Sequence, residues 1–180
     1  MGSLISLALD GILNHSIIPL RIATFIGFFV LTFFLNLFTA IISITSLIIY
    51  SFIYTPLKKI GSIAVFVGAI PGALPPMIGW VSATNEISIE ALIIFSIQFI
   101  WQFPHFWAIA WVSDDDYKRA GFKLLPNGGK KNFSTAVNIM TYTLLLLPLG
   151  FLPTLFGITG LISGLVAMIC GILFLIQTIH

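Results

Sequence analysis

The stretch ISIEALIIFSIQFIWQFPHFWAIAWVSDDDYKR, Ile87–Arg119, carries one acid in a long apolar run and then passes directly into three aspartates. A helix that crosses a bilayer needs about 20 mostly apolar residues, and the run up to Val112 is long enough. In lipid, only helices and closed barrels satisfy their own backbone hydrogen bonds. Because no alternating pattern typical of barrel strands is present, the stretch predicts a transmembrane helix and an all-α fold.

The composition of the whole chain extends this prediction. Of its 180 residues, 58% are hydrophobic and 8% are charged, whereas soluble domains usually carry about 25% charged residues. Such a chain cannot cover its surface with charge, so we expect one membrane domain over residues 1–180, embedded in the lipid bilayer. The single cysteine, Cys170, excludes an intrachain disulfide. The sequence shows no basic groove with interleaved aromatic residues, so we expect no nucleic acid partner.

Six apolar runs are long enough to cross a membrane, which predicts a polytopic transmembrane helical bundle of about six spans. They are Ile17–Leu35, Leu37–Thr55, Ser62–Ser82, Ile87–Val112, Ser134–Leu152 and Thr154–Ile179.

With six spans, every basic residue between them falls on the same side of the membrane. Arg21 belongs to the first span, Lys58 and Lys59 follow the second, and five further lysines and arginines follow the fourth. The positive-inside rule predicts that this side is cytoplasmic.

The three aspartates Asp114–Asp116 have two interpretations. They can end a helix in water, balanced by the basic residues that follow. Alternatively, because adjacent carboxylates repel one another, they bind a cation such as Mg²⁺, which takes one or two carboxylates together with substrate phosphates. Lys118 and Arg119 follow at once, and Lys58 lies on the same face, which suits a diphosphate.

Three polar residues within the fourth predicted span, Gln98, Gln102 and His105, fall on one narrow stripe of the helix, with Trp101 beside them. Polar side chains in a membrane are expected to face the bundle interior, either as hydrogen-bonding links between helices or as the wall of a binding cavity. Trp107 points the opposite way and is expected to face lipid or an interface.

Prolines interrupt two of the predicted spans. Pro71, Pro75 and Pro76 lie in GAIPGALPPMIGW, Gly68–Trp80, and are expected to break the helix and shape a pocket, although tight packing of small residues would use the same glycines. Pro104 is expected to kink the fourth span beside the polar stripe.

Four motifs together resemble the signatures of the protohaem IX farnesyltransferases, or haem O synthases, a branch of the UbiA-type intramembrane prenyltransferases. They are YTPLKK at Tyr54–Lys59, GAIPGALPPMIGW at Gly68–Trp80, WQFPHFWAIAW at Trp101–Trp111 and DDYKRAGFKLLP at Asp115–Pro126.

The resemblance implies part of a nine-helix bundle around a central cavity, in which Mg²⁺ and farnesyl diphosphate bind two aspartate-rich loops and the farnesyl group passes to a vinyl group of haem B. It implies that Asp115 and Asp116 bind the metal, with Asp114 as a neighbour, and that Lys58 contacts the diphosphate.

The resemblance also implies further contacts to the substrates. His105 corresponds to a candidate haem contact, and Tyr54, Gln98, Gln102, Lys118 and Arg119 are further candidates for substrate binding. Trp101, Phe103 and Phe106 are candidates to shield an allylic cation.

One family motif has no counterpart in this sequence. The first aspartate-rich motif is unmatched, since Asp10 is the only acid before Glu86 and Asn14 follows it. The resemblance therefore predicts a chain that is incomplete at both ends, that holds spans three to eight of the family, and that is inactive alone.

Competing interpretations are another UbiA-type aromatic prenyltransferase, a small membrane transporter, and a non-catalytic fragment. The resemblance implies a bacterial inner (plasma) membrane location with the basic loops cytoplasmic. It does not identify the partner protein that receives the haem.

Overall fold

The computed structural model describes residues 26–27 and 29–179, and within these ranges the fold is helical without strands. Five long helices and one short helix account for most of this part of the chain. They are α1 (Leu37–Leu57), α2 (Ile63–Thr84), α3 (Ile89–Val112), α4 (Asp114–Arg119), α5 (Phe133–Leu155) and α6 (Leu161–Ile179).

The five long helices α1, α2, α3, α5 and α6 are each long and apolar enough to cross a membrane. They confirm the second to sixth predicted spans and the all-α, multi-pass fold. The first predicted span lies largely outside the described residues, although residues 29–34 are helical. Asn36 separates it from α1: its side chain accepts from the Thr39 amide at 2.8 Å and donates to the Val81 carbonyl at 3.0 Å, which ties α1 to α2.

The boundary between the last two spans differs from the prediction. The helix α5 continues through Pro153 to Leu155, and the turn follows at Gly157, whose φ is 71°. The Ile158 amide donates to the Pro153 carbonyl at 2.8 Å and the Gly157 amide to the Thr154 carbonyl at 3.2 Å. These are the two bonds of a Schellman motif, so the glycine, rather than the proline, ends the helix.

The prediction that prolines break the third span is wrong, because α2 runs without interruption from Ile63 to Thr84 with Pro71, Pro75 and Pro76 inside it. Helix α3 also runs continuously through Pro104, and the kink expected there stays a prediction. A proline within a helix has no N–H to donate to the carbonyl four residues earlier. Pro75 and Pro76 therefore leave the carbonyls of Pro71 and Gly72 without helical partners.

Side chains from neighbouring helices satisfy both of these carbonyls. The Gln102 amide Nε2 of α3 donates to the Gly72 carbonyl at 3.0 Å. The Ser46 hydroxyl of α1 donates to the Pro71 carbonyl at 3.4 Å. In a membrane, proline is tolerated inside a helix where neighbouring side chains supply the missing bond, so these two contacts explain how α2 stays continuous.

Irregular backbone occurs instead in α1, where Ile49–Tyr54 forms a π-helical turn. The Thr55 amide and the Thr55 hydroxyl both donate to the Tyr50 carbonyl, five residues earlier. A π turn widens the helix locally; such turns are rare and frequently lie at functional sites.

Helices α2, α3 and α5 surround the main buried cluster. Phe103 and Trp107 of α3 pack on Tyr142 of α5 with ring centroids 4.7 and 5.1 Å apart. Trp107 is buried, so of the two surroundings predicted for it, an interface is confirmed and lipid is wrong. The cluster continues to Leu124 and Leu125 in the loop after α4, which anchors that loop to the bundle.

We expect replacement of Gln102 by leucine to destabilise the bundle by about 1–2 kcal/mol, because the Gly72 carbonyl loses its donor. The matched control Gln98→Leu removes an amide one turn away and should change stability little. Unfolding in mixed detergent micelles measures both effects.

A second substitution isolates the cause. Pro76→Ala supplies an N–H that can donate to the Gly72 carbonyl, so Gln102→Leu should cost less in the Pro76→Ala background. An equal cost in both backgrounds would show that the proline-released carbonyl is not what Gln102 satisfies.

Candidate functional site

Two polar segments that are far apart in sequence meet at one end of the bundle. The Lys123 amide, in the loop after α4, donates to the Lys58 carbonyl, just after α1, at 3.2 Å. The prediction that these basic loops share a face is therefore confirmed. Leu57 and Tyr117 pack on the same buried cluster beneath them, so this end of the molecule is a joined structure rather than two independent loops.

A cavity of about 390 Å³ lies between α1, α2 and α3. Its walls are mainly apolar and aromatic, with two serine hydroxyls from α1. The lining residues are Ser43, Ser46, Leu47, Tyr50, Tyr54, Gly68, Pro71, Gly72 and Phe106.

Two glycines of α2 allow bulky side chains to approach the helix backbone. A Cβ at Gly68 would lie 2.6 Å from Cε2 of Tyr54, and a Cβ at Gly72 would lie 2.8 Å from Nε2 of Gln102. Both distances are too short for any side chain. The glycines therefore allow the Tyr54 ring to lie against α2 and the Gln102 amide to reach the Gly72 carbonyl.

Lys58 lies next to the aromatic end of the cavity. Its ammonium nitrogen is 4.4 Å from the ring centroid of Tyr54 and 5.7 Å from that of Tyr50, within the range of a cation–π contact. Burial lowers the pKa of the Lys58 ammonium. Sequence reasoning missed Tyr50, although its spacing of four residues from Tyr54 and eight from Lys58 was available as a signal.

The three aspartates begin the short helix α4, so successive side chains diverge by about 100°. Asp114 is buried and accepts from the Lys118 ammonium at 2.6 Å, and this hydrogen bond raises the pKa of Lys118. Asp116 lies 3.7 Å from Arg119, and both side chains are exposed. The premise that the triplet needs a cation to relieve its repulsion is therefore wrong, since two of the three carboxylates have basic partners.

The same geometry tests whether the site suits Mg²⁺. Among the residues that the structure describes, no three acids, histidines or cysteines converge on one point. Mg²⁺ does not need such a cage, because it usually binds one or two carboxylates and completes its shell with phosphate oxygens and water. The exposed Asp115 and Asp116 fit this role, whereas Asp114 is engaged by Lys118.

The residues of the predicted polar stripe of α3 do not share one environment. Gln102 is buried and bonded to α2, so it links helices rather than facing the cavity with a free amide. Gln98 and His105 are half-buried, and the His105 ring stacks on Trp101 with centroids 4.3 Å apart. Of the three aromatic residues predicted to shield a cation, Phe106 lines the cavity, whereas Phe103 is buried in the core.

This arrangement is suited to a molecule with an anionic head and an apolar body. Lys58 supplies a positive charge near the aromatic end of a cavity whose walls are otherwise apolar. Exposed carboxylates lie in α4, and further basic residues lie in α4 and in the loop after it, which is bonded to Lys58. An ionic head group would therefore find charged partners at the membrane surface, and an apolar tail could lie in the cavity among the helices.

Comparison with known proteins gives one consistent result. The profile of the UbiA prenyltransferase family matches residues 13–180. The chain is 54% identical over 173 residues to a protoheme IX farnesyltransferase of Cytophaga hutchinsonii, which covers 95% of this chain and 60% of that protein. It is 46% identical over 152 residues to the protein of the same name from Flavobacterium psychrophilum, covering 82% of this chain and 50% of that protein.

A more distant relative gives the same name. A protoheme IX farnesyltransferase of Koribacter versatilis is 42% identical over 136 residues, covering 76% of this chain and 44% of that protein. The chain thus spans between 44% and 60% of the length of these relatives. No solved structure matches it significantly.

The close approach of Tyr54 to α2 predicts a sharp difference between two glycines of that helix. Gly68→Ala should destabilise the protein by about 1–3 kcal/mol, because its Cβ meets a buried ring. Gly79→Ala meets no atom within 4 Å and should be neutral or stabilising by up to about 1 kcal/mol. Thermal unfolding in lipid nanodiscs would contradict this packing if the two variants were equally stable.

Proposed function

The chain belongs to the UbiA prenyltransferase family, and from this premise we propose that it transfers a farnesyl group from farnesyl diphosphate to a vinyl group of haem B, giving haem O. The relatives that carry the name protoheme IX farnesyltransferase support this reaction. The C–O bond to the diphosphate breaks, and pyrophosphate leaves with the electron pair. A C–C bond then forms to the vinyl carbon, and water adds as a hydroxyl group with release of a proton.

The observation that carries the proposal is the joining of the two polar loops next to an apolar cavity. The backbone bond from Lys123 to Lys58 brings the basic residue of one motif together with the loop that follows the aspartates. A prenyl diphosphate has the matching form, because it is a dianionic or trianionic head on a long apolar chain. This complementarity favours a lipid-soluble diphosphate over a ligand that is wholly polar.

Lys58 is assigned to the diphosphate, since no carboxylate within the described part of the chain forms an ion pair with it. A lysine there would stabilise the charge that develops on the departing pyrophosphate. Lys118 and Arg119 are weaker candidates, because each already has an aspartate partner. Their exposed side chains can still draw an anion toward this end of the bundle.

The cavity residues are assigned to the farnesyl chain. The rings of Tyr54 and Phe106 present π faces that stabilise a nearby allylic cation without reacting as a carboxylate would. Apolar walls also exclude water until the new bond has formed. The half-buried pair of Trp101 and His105 is assigned to haem B, whose flat ring suits a stacked aromatic surface.

Asp115 and Asp116 would hold Mg²⁺ together with the diphosphate, and the bound ion would neutralise the charge of the leaving group. Placing these loops in the cytoplasm follows the positive-inside rule, since the loops after α1 and α3 carry the lysines and the loop between α2 and α3 carries Glu86. The alternative of a transporter with a broken helix loses its main support, because α2 is continuous.

A chimera tests the reaction without assuming which segments a complete enzyme needs. The matching 173 residues of the Cytophaga relative are replaced by this chain, and haem O is measured by mass spectrometry in membranes given farnesyl diphosphate, haem B and Mg²⁺. We expect haem O to form, and Lys58→Met to reduce its rate about 100-fold.

Lys59→Met is the matched control, because Lys59 is the exposed neighbour of Lys58 and should leave the rate nearly unchanged. Absence of haem O from a chimera that inserts and folds would contradict the proposed reaction. Equal rates for the two lysine variants would contradict the assignment of Lys58.

The metal assignment gives a separate prediction for the chain alone in nanodiscs. Binding of a non-hydrolysable farnesyl diphosphate analogue should weaken at least about tenfold when EDTA removes Mg²⁺, because the diphosphate then loses its counter-ion. Asp115→Asn with Asp116→Asn should give similar weak binding even with Mg²⁺ present. Tight binding by this double variant would remove the two aspartates from the site.

A further inference from the structure

The π-helical turn of α1 brings three side chains into one column. Tyr50, Tyr54 and Lys58 are four residues apart, and the first two lie in the π turn Ile49–Tyr54. Their rings are 5.2 Å apart between centroids, and the Lys58 ammonium lies over both. Residues four apart lie on the same side of a helix, so the three side chains share one face of α1.

Tyr54, the middle residue of this column, is fixed by packing. The Tyr54 ring is 5% exposed and lies against Gly68 of α2, where a Cβ would overlap it. Tyr50 extends the aromatic surface from this fixed ring and is itself 49% exposed. Lys58 is also held from its backbone, since its carbonyl accepts from the Lys123 amide.

We infer that Tyr50 is a positioning residue: with Tyr54 it holds the ammonium of Lys58 near the cavity, where it meets the diphosphate of an incoming prenyl diphosphate. This inference rests on the proposed function. An aromatic face attracts the cation but accepts little from its N–H groups, so those donors remain available to phosphate oxygens. Because the long lysine side chain is already held in place, less of its conformational entropy is lost when the diphosphate binds.

The role requires a ring and not a hydroxyl group, which selects the variants. Tyr50→Phe keeps the π face, whereas Tyr50→Leu removes it and leaves an apolar side chain. Because Tyr50 is half exposed, neither change opens a cavity in the core. Phe52→Leu is the matched control, since Phe52 lies in the same π turn and is 76% exposed.

The first measurement follows the lysine itself in the chain without ligand. Reductive ¹³C-methylation retains the charge of lysine side chains, and the Lys58 signal is identified by its loss in Lys58→Arg. Ring currents should shift this signal upfield of the Lys59 signal. The shift should persist in Tyr50→Phe and Phe52→Leu and should fall in Tyr50→Leu.

The second measurement is the affinity for farnesyl thiodiphosphate with Mg²⁺ in nanodiscs. Tyr50→Leu should weaken binding about three- to tenfold, while Tyr50→Phe and Phe52→Leu should bind like the wild type. In the chimera, Tyr50→Leu should raise KM more than it lowers kcat. If Tyr50 had only a structural role, Tyr50→Leu would instead change the thermal stability, and KM would not change more than kcat.

The outcomes separate the two proposals. An unshifted Lys58 signal, or equal affinities for Tyr50→Leu and the wild type, would overturn the positioning role while leaving prenyl diphosphate binding intact. Failure of the wild-type chain and of the chimera to bind the analogue would overturn the proposed function and the positioning role together, even if the shifted signal showed that the column exists.

Discussion

A backbone carbonyl that a proline releases inside a bilayer must find another hydrogen-bond donor, because lipid supplies none. In this protein that requirement explains the contacts between three helices. Pro75 and Pro76 release two adjacent carbonyls of α2, and donors come from Ser46 of α1 and Gln102 of α3. Each donor has to approach the α2 backbone closely. Gly72 provides the space for Gln102, and both Pro71 and Gly72 also line the cavity between the three helices.

This constraint also gives α1 and α2 different roles. Helix α2 remains regular despite three internal prolines, and its neighbours supply the bonds that Pro75 and Pro76 remove. Helix α1 has its only proline at Pro56, near its end, yet it contains the π turn. In α1 the Tyr54 ring lies against Gly68 of α2, and the Tyr50 ring packs beside that of Tyr54. The regular helix α2 thus provides the surface on which the Tyr54 ring of the irregular helix α1 packs.

The sequence predicts the positions of the spans well, because length and hydropathy alone decide whether a segment can cross a bilayer. It also predicts that the loops carrying Lys58 and Lys123 lie on the same side of the membrane, since an even number of crossings separates them, but not that the two loops touch. It does not predict the path of α2, because the prolines of Gly68–Trp80 have the same local chemistry whether a neighbour satisfies the released carbonyls or not. Similarly, the stripe with Gln102 could be assigned to a cavity wall or to helix links only once α2 was seen beside it.

The basic side chains near the cavity differ in whether a carboxylate already occupies them or an incoming anion can bind without competition. Lys118 is engaged by the buried Asp114 at 2.6 Å, so an incoming phosphate would have to compete with a carboxylate that is already in place. Lys58 is held by aromatic faces, which attract its charge without neutralising it. Partial burial also makes its charge less well solvated, as the lowered pKa of Lys58 reflects. A poorly solvated but unneutralised cation gains most from a new anionic partner. On electrostatic grounds Lys58, rather than the larger basic cluster after α3, is therefore the residue that we propose to contact the diphosphate.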